Sequence, residues 1–360
     1  MSDHSFKKKA RQHQQATGDS YSRARRQVDK DHTGPPPNPG AVAASSAAVP
    51  ESATAPRMLS LLGLDPNSPD FTALWAAHQL PVGTNSSVDL GPLLRVPLGL
   101  RAGGEPVWLD IKEQGAGGDG PHGLLVGAEG SGKSTTLQAI LFALCAQHSP
   151  DLLQLVLVDG HESSCFADFD TYPHTAANLN AATAATAAIV ALQDLIDQRR
   201  EALRWNRDIR EYNELRAAAG GSDLPAVPYT LVVVDELPVL LRADPGFTPV
   251  LSRLFREGRS LGIHVLLAGT HLDPLAAADA HLAIDRRFAV NARYRIGLRA
   301  ETAEASRQVI GRVDAYHLPP SPGLGVFCAN LRADPVPYRG FQIPQDLVRK
   351  LGRRPDAGGS

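Results

Sequence analysis

Residues 123–134 read Gly-Leu-Leu-Val-Gly-Ala-Glu-Gly-Ser-Gly-Lys-Ser. The apolar run Gly123 to Gly127 has the length and composition of a buried strand. A helical stretch from Lys133 to about Gln147 follows it. Between them, Gly127, Ala128, Glu129, Gly130, Ser131, Gly132, Lys133 and Ser134 satisfy GxxxxGK[ST] in full. The glycines let the backbone wrap so that successive N–H groups converge on phosphate oxygens, and the helix start adds its positive dipole end. Lys133 is then placed for the β- and γ-phosphates, and the Ser134 hydroxyl for Mg²⁺, with Thr135 closing the cradle. ATP and Mg²⁺ are the expected cofactors.

Downstream, Leu231-Val232-Val233-Val234-Asp235-Glu236 is an apolar strand ending in two carboxylates. Asp235 suits the Mg²⁺ shell, and Glu236 suits a general base that polarises a water toward the γ-phosphate. With the phosphate loop about a hundred residues earlier, the pair points to hydrolysis rather than phosphate binding alone.

The surrounding chain alternates strands and helices. LLQLVLVD (Leu152 to Asp159), TLVVVDE (Thr230 to Glu236), HVLLAGT (His264 to Thr270) and RYRIGLR (Arg293 to Arg299) read as further strands, and Ala181 to Ala219 as one long helix. Continuous apolar strands separated by helices predict an α/β fold, a mostly parallel sheet with helices on both faces. Ahead of it, short helices around LLGL and FTALWAAHQL and the strand-like RVPLGL and PVWLDI predict a small extension. The expected organisation is a basic disordered arm over 1–33, a Pro/Ala/Ser linker over 34–57, the extension over 58–112, the ATPase domain over 113–345 and a flexible basic tail over 346–360.

The full chain of 360 residues carries a formal charge of -2 and 43% hydrophobic residues, enough to build a core. Its 3 cysteines, Cys145, Cys165 and Cys328, exclude a disulfide scaffold. No apolar run nears the roughly 18 residues of a membrane span, and the N-terminal stretch has no apolar signal core. A cytoplasmic protein is expected, at most peripheral at a membrane.

The phosphate loop, the VDE strand, Gly258 to Ala268 (GRSLGIHVLLA) and Tyr294 to Arg299 (YRIGLR) together resemble the FtsK/SpoIIIE motor domain. LLRVPLGL, GPHGLLVG, HSPDLLQLVLVD, YPHTAANL and VDAYHLPPSPGLG resemble its type VII secretion branch, the EccC-like ATPases, over about residues 58–345. The resemblance implies a RecA-like P-loop core using ATP and Mg²⁺ in a ring or tandem array, self-associating or docking on a membrane-bound motor. It implies a translocated polypeptide or DNA. Members of that branch carry membrane helices and tandem motors; here one motor is visible. Where the family's fourth strand ends in a γ-phosphate-sensing Gln followed by Arg, this chain has Thr270 and His271. Arg259, Arg256 and Arg295 match family arginines, and one of them, Arg259 or Arg256 ahead of Arg295, is the candidate finger reaching a neighbour's site, against structural ion pairing.

Other residues have plainer expected roles. His161 and Glu162 beside Asp159 lack a further ligand at metal-site spacing. His122 is expected at the mouth of the nucleotide pocket, Trp205 and Tyr212 in helix packing, and Cys145 in the core. Three functions fit: a single-motor ATPase acting on polypeptide, which is favoured; a DNA-translocating ATPase tethered by the basic arm; and a nucleotide-binding regulator with little hydrolysis.

Charge separates the first two. Residues 1–33 hold 8 Lys+Arg and 4 acids, so without them the chain moves from -2 to -6. Duplex DNA binding is therefore expected to vanish on deletion of 1–33. In the full chain it should weaken with salt, with a slope of about -4 to -5 in log K against log salt when four to six cations engage phosphates. Salt titrations of both chains by fluorescence anisotropy check this; tight DNA binding by the shortened chain would overturn it.

Overall fold

The computed structural model describes residues 53–78, 93–161, 165–180, 184–203, 208–219, 224–270 and 291–352. The arm, most of the linker, Glu162, Trp205, His271 and residues 353–360 lie outside the described residues.

Ten strands form one sheet in the order β2-β1-β10-β9-β8-β3-β7-β6-β4-β5. In chain order they are β1 (Arg95–Leu100), β2 (Pro106–Asp110), β3 (His122–Val126), β4 (Leu153–Asp159), β5 (Thr175–Asn180), β6 (Tyr229–Asp235), β7 (Ile263–Gly269), β8 (Tyr294–Leu298), β9 (Leu324–Cys328) and β10 (Val336–Gly340). From β8 to β5 every pairing is parallel. From β8 outward through β9, β10, β1 and β2 every pairing is antiparallel. The sheet is thus mixed: its parallel half matches the expected motor, and the extension joins through β1 on β10. Strands β3, β6, β7 and β8 are buried at every residue, which requires cover on both faces.

The cover comes from helices whose sequences suit it. The described helices are α1 (Ala55–Leu61), α2 (Phe71–Ala77), α3 (Lys133–Gln147), α4 (Ala184–Ala202), α5 (Ile209–Ala218), α6 (Leu237–Ala243), α7 (Phe247–Leu261), α8 (Ala303–Ile310) and α9 (Gln345–Gly352). Beyond its first turn α3 is apolar nearly all round, as a helix enclosed on several sides must be. It packs against β1, α2 and α9. Trp75 Nε1 donates to the Cys145 carbonyl at 2.9 Å, and Phe71 meets Phe142 edge-on. Cys145 is buried, as expected. The amphipathic α7 lies against α4 and β7.

Two expectations need correction, and one strand comes in addition. In place of a single helix over 181–219 there are two, α4 and α5, and Asp208 caps the second by accepting the Arg210 N–H at 2.9 Å. TAANLN is a strand, β5, which polar residues hid because it is a half-buried sheet edge. The tail does not begin at 346: residues 345–352 form α9, which buries Val348 and Leu351 and accepts the Tyr172 hydroxyl at the Val348 carbonyl. Among the described residues no helix is long and apolar enough to cross a membrane.

Among the described residues, four histidines are buried in the core. Burial lowers the pKa of His122 to about 3 and those of His148, His174 and His264 to about 4. Unfolded histidine titrates near 6.5, so the unfolded chain takes up protons first as pH falls. Stability is therefore complete above about pH 6.5 and declines toward pH 4, each histidine contributing up to about 1.4 kcal/mol per pH unit. Burial raises the carboxyls of Asp119 and Asp235, which act in the opposite sense but are outnumbered. Denaturant unfolding at pH 7, 6 and 5 is expected to show a falling midpoint; a constant one would contradict the neutral buried histidines.

Candidate nucleotide site

The parallel register brings the C-terminal ends of β3, β7, β6 and β4 to one edge. Val126 pairs with Gly269, Val234 with Leu267, and Asp159 with Asp235. The phosphate loop leaves β3 there. Its turn depends on Gly130 at φ +71 and Gly132 at φ +99, the left-handed region that a side chain disfavours. Gly127 donates to the Gly269 carbonyl at 3.3 Å and Ala128 to the Arg299 carbonyl at 2.7 Å, so β7 and β8 hold the loop's first residues. Thr136 donates through both N–H and hydroxyl to the Gly132 carbonyl at 2.9 Å, closing the first turn of α3.

Lys133 folds back over this loop. Its Nζ donates to the Gly127 carbonyl at 3.0 Å and stands 3.5 Å from Glu236 Oε1. Glu236 is buried and follows β6 with φ 49 and ψ 47, the left-handed region occupied here by a non-glycine residue. Such a conformation costs about 1–3 kcal/mol and is held by its surroundings. Asp235 orients it by accepting the Glu236 N–H at 2.9 Å. Burial foremost pushes the Asp235 carboxyl up to about 6, with Asp159 and Glu236 adding to the effect and Lys133 opposing it. The expected residues of the phosphate loop and the β6 carboxylates therefore converge on one edge, with Ser134 exposed at the mouth.

Asp159 belongs to the same edge. It is 1% exposed, and one ligand atom each from Asp159, Cys165 and Asp235 lie within 4.8 Å of one another. The backbone N–H groups of His161 and Cys165 donate to its carboxylate at 2.9 and 3.0 Å. The sequence signal was present: LVLVD and LVVVD are two parallel strands that stop at the same residue type. His161 itself is exposed, and its ring is 3.7 Å from Asp159.

Thr270 follows Gly269 directly, beside the base of the phosphate loop. The arginines separate. Arg295 is 1% exposed and donates to the Val309 carbonyl at 2.7 Å at the end of α8, so it anchors a helix and reaches no neighbour. Arg256 is exposed and pairs with Glu257 at 3.1 Å. Arg259 pairs with Glu113 at 2.7 Å and stands 3.6 Å from Asp208. It lies in the last turn of α7, which delivers the chain to the start of β7, the edge opposite the phosphate loop. His122 also starts its strand there, buried against Phe255 with ring centroids 4.7 Å apart. It is a core residue at the far end, not part of the pocket mouth.

A nucleoside triphosphate with Mg²⁺ fits these residues: a glycine cradle, a part-buried ammonium, a hydroxyl and two carboxylates share one edge, and the buried Ser131 Oγ has no partner. The comparisons agree. The FtsK/SpoIIIE family profile matches residues 89–274. ESX secretion system protein EccC of Thermomonospora curvata is 41% identical over 241 residues, 64% of this chain and 17% of that protein. ESX-4 secretion system protein EccC4 of Mycobacterium tuberculosis is 39% identical over 240 residues, 65% of this chain and 19% of that protein. The solved cytoplasmic domain of the T. curvata type VII secretion ATPase EccC superposes with a TM-score of 0.71 at 35% identity, covering 82% of this chain and 34% of that one. The chain thus spans under a fifth of the length of these two curated relatives. With the profile matching over half of its length and the site residues assembled at one sheet edge, the chain belongs to the FtsK/SpoIIIE family and carries a P-loop ATPase domain related to the EccC ATPases of type VII secretion.

Proposed function

We propose that the chain binds Mg-ATP at the β3–α3 loop and hydrolyses it to drive a polypeptide within a multi-subunit secretion assembly, on the cytoplasmic side. The observation that carries the reading is the Lys133–Glu236 pair, 3.5 Å apart over the phosphate loop with Asp235 adjacent. Lys133 serves the β- and γ-phosphates. When it turns to them, Glu236 loses its partner and becomes free to accept a proton from the attacking water. Ser134 and Asp235 would hold Mg²⁺, which supplies charge to offset that developing on the phosphoryl oxygens. Thr270, at the end of β7, takes the position of a γ-phosphate sensor.

The names of the relatives, secretion system proteins, support polypeptide over DNA, as does the acidic balance outside the arm. Arg259 lies at the edge opposite its own phosphate loop, so as a finger, like its neighbour Arg256, it serves another subunit's site. A ring, or docking on a membrane-bound motor, supplies that neighbour.

The test is the ATPase rate and ATP affinity of the full chain, alone and with helical peptides or duplex DNA. Lys133→Ala is expected to lose tight ATP binding. Glu236→Gln is expected to keep it while turnover falls roughly 10²–10⁴-fold. Peptide, not DNA, should raise the parental rate. Parental turnover in Glu236→Gln would remove the assignment of the base, and stimulation by DNA alone would favour the DNA reading.

Backbone strain at Glu236 has its own signature. Left-handed geometry costs a non-glycine residue about 1–2 kcal/mol, against an entropic cost of about 0.5–1 kcal/mol for glycine. Glu236→Gly is therefore expected to be more stable than Glu236→Ala by roughly 1 kcal/mol in equilibrium unfolding, both being inactive. An Ala variant more stable than the Gly variant by about 0.5–1 kcal/mol, the bare entropic cost of glycine, would mean that the position is unstrained.

A further inference from the structure

The phosphate loop touches a segment that the reading above leaves without a role. The turn before β9, Ser321-Pro322-Gly323, lies directly on it. Gly323 N–H donates to the Ser131 carbonyl at 2.9 Å, and the backbones are so close that a Cβ on Gly132 would stand 2.8 Å from the Gly323 nitrogen. On its other side the turn is tied to β10, where Gly340 N–H donates to the Gly323 carbonyl at 2.8 Å. Next to Gly340, Arg339 reaches back over the turn. Its Nη2 is 3.3 Å from Ser321 Oγ and its Nη1 3.5 Å from the Pro322 carbonyl.

Arg339 differs in charge environment from other arginines of the chain. Arg259, Arg312 and Arg349 each face a carboxylate. Arg339 makes no ion pair among the described residues, and its Nε is buried without a hydrogen-bond partner. Its two contacts are to neutral oxygens at the long limit of a hydrogen bond, so they exchange at little cost. A half-buried guanidinium without a counter-charge, one turn away from a phosphate cradle, presents the planar fork that matches phosphate oxygens.

We infer that Arg339 is a nucleotide-binding residue, contributing its guanidinium to the phosphate chain from the β9–β10 side of the site, opposite the carboxylates of β4 and β6. The inference rests on the nucleotide site argued above and adds a second cation to Lys133. The turn Ser321–Gly323, hydrogen-bonded to the phosphate loop on one side and to Gly340 on the other, fixes the end of β10 that carries Arg339 beside the loop.

The experiment is a calorimetric titration of the full chain with Mg-ATP and with inorganic tripolyphosphate, using Arg339→Met, Arg339→Lys and Arg339→Gln, each checked by thermal melting. Arg339→Met is expected to weaken both ligands about 10- to 100-fold, the range of a lost charge-assisted hydrogen bond. Arg339→Lys, which keeps the charge but not the fork, should recover most of that loss. Should the Met variant melt early, Arg339→Gln keeps a polar side chain of similar reach and gives the same comparison with Lys. Parental affinity in Met and Gln overturns the inference. So does an equal loss in Lys and Met, which makes Arg339 only a brace for the turn, and so does a loss confined to ATP, which places it on the nucleoside. Absence of ATP binding in the parental chain would instead remove the nucleotide reading itself.

Discussion

The ammonium of Lys133, 3.0 Å from the Gly127 carbonyl and 3.5 Å from Glu236, bridges two strands that are not neighbours. The lysine follows the loop that leaves β3 and the glutamate follows β6, and β7 lies between those two strands. The pair can form only because all three strands run parallel and stop in step, so that chain leaving each one emerges at the same edge. Slip of a strand by one residue would reverse which face every side chain meets and would withdraw one partner. The apolar register across β3, β7 and β6 is therefore what holds the chemistry together. The uniformly buried side chains of those strands enforce it.

That arrangement concentrates charge where water is scarce. Asp159, Asp235 and Glu236 are all nearly buried, with Lys133 as the cation among them. Three carboxylates and one ammonium in a region of low dielectric cannot all be ionised cheaply, and Asp235 rises to about 6 in consequence. Backbone N–H groups offset part of the cost, two on Asp159 and one on Asp235. The remainder is electrostatic stress that a cation among these carboxylates would relieve. A site of this kind is more stable with its ligand than without it, since whatever binds only the folded chain adds to its stability.

How much of this could be read from the sequence follows from where each feature gets its information. Gly127 to Ser134 and Leu231 to Glu236 are legible because steric and electrostatic demands fall on contiguous residues. The central strands are legible because burial on both faces leaves continuous apolar runs. β5 was missed since an edge strand faces solvent and keeps its polar residues. The start of α5 is marked by one side chain, Asp208, a signal that a periodicity spanning 181–219 overrides. The proximity of Asp159 to Asp235, the burial of Arg295 beneath α8 and the distance of His122 from the pocket are tertiary facts. They depend on strand order, and no spacing along the chain encodes that order.

Strand order also explains the placement of the arginines. A helix that follows a parallel strand must run back along the sheet before the next strand begins, so α7 ends where β7 starts. Arg259, in its last turn, is separated from its own phosphate loop by the length of β7, seven residues or roughly 23 Å. No side-chain rotation spans that gap. Glu113 and Asp208 occupy the guanidinium at the far edge, so it needs no unsatisfied charge in a single copy. The fold thus places the phosphate loop on one edge and a paired but half-exposed arginine on the other. In a head-to-tail contact between copies, the second edge of one would face the first edge of the next. The connectivity that assembles the phosphate loop at one edge is therefore also what leaves Arg259 beyond its reach at the other.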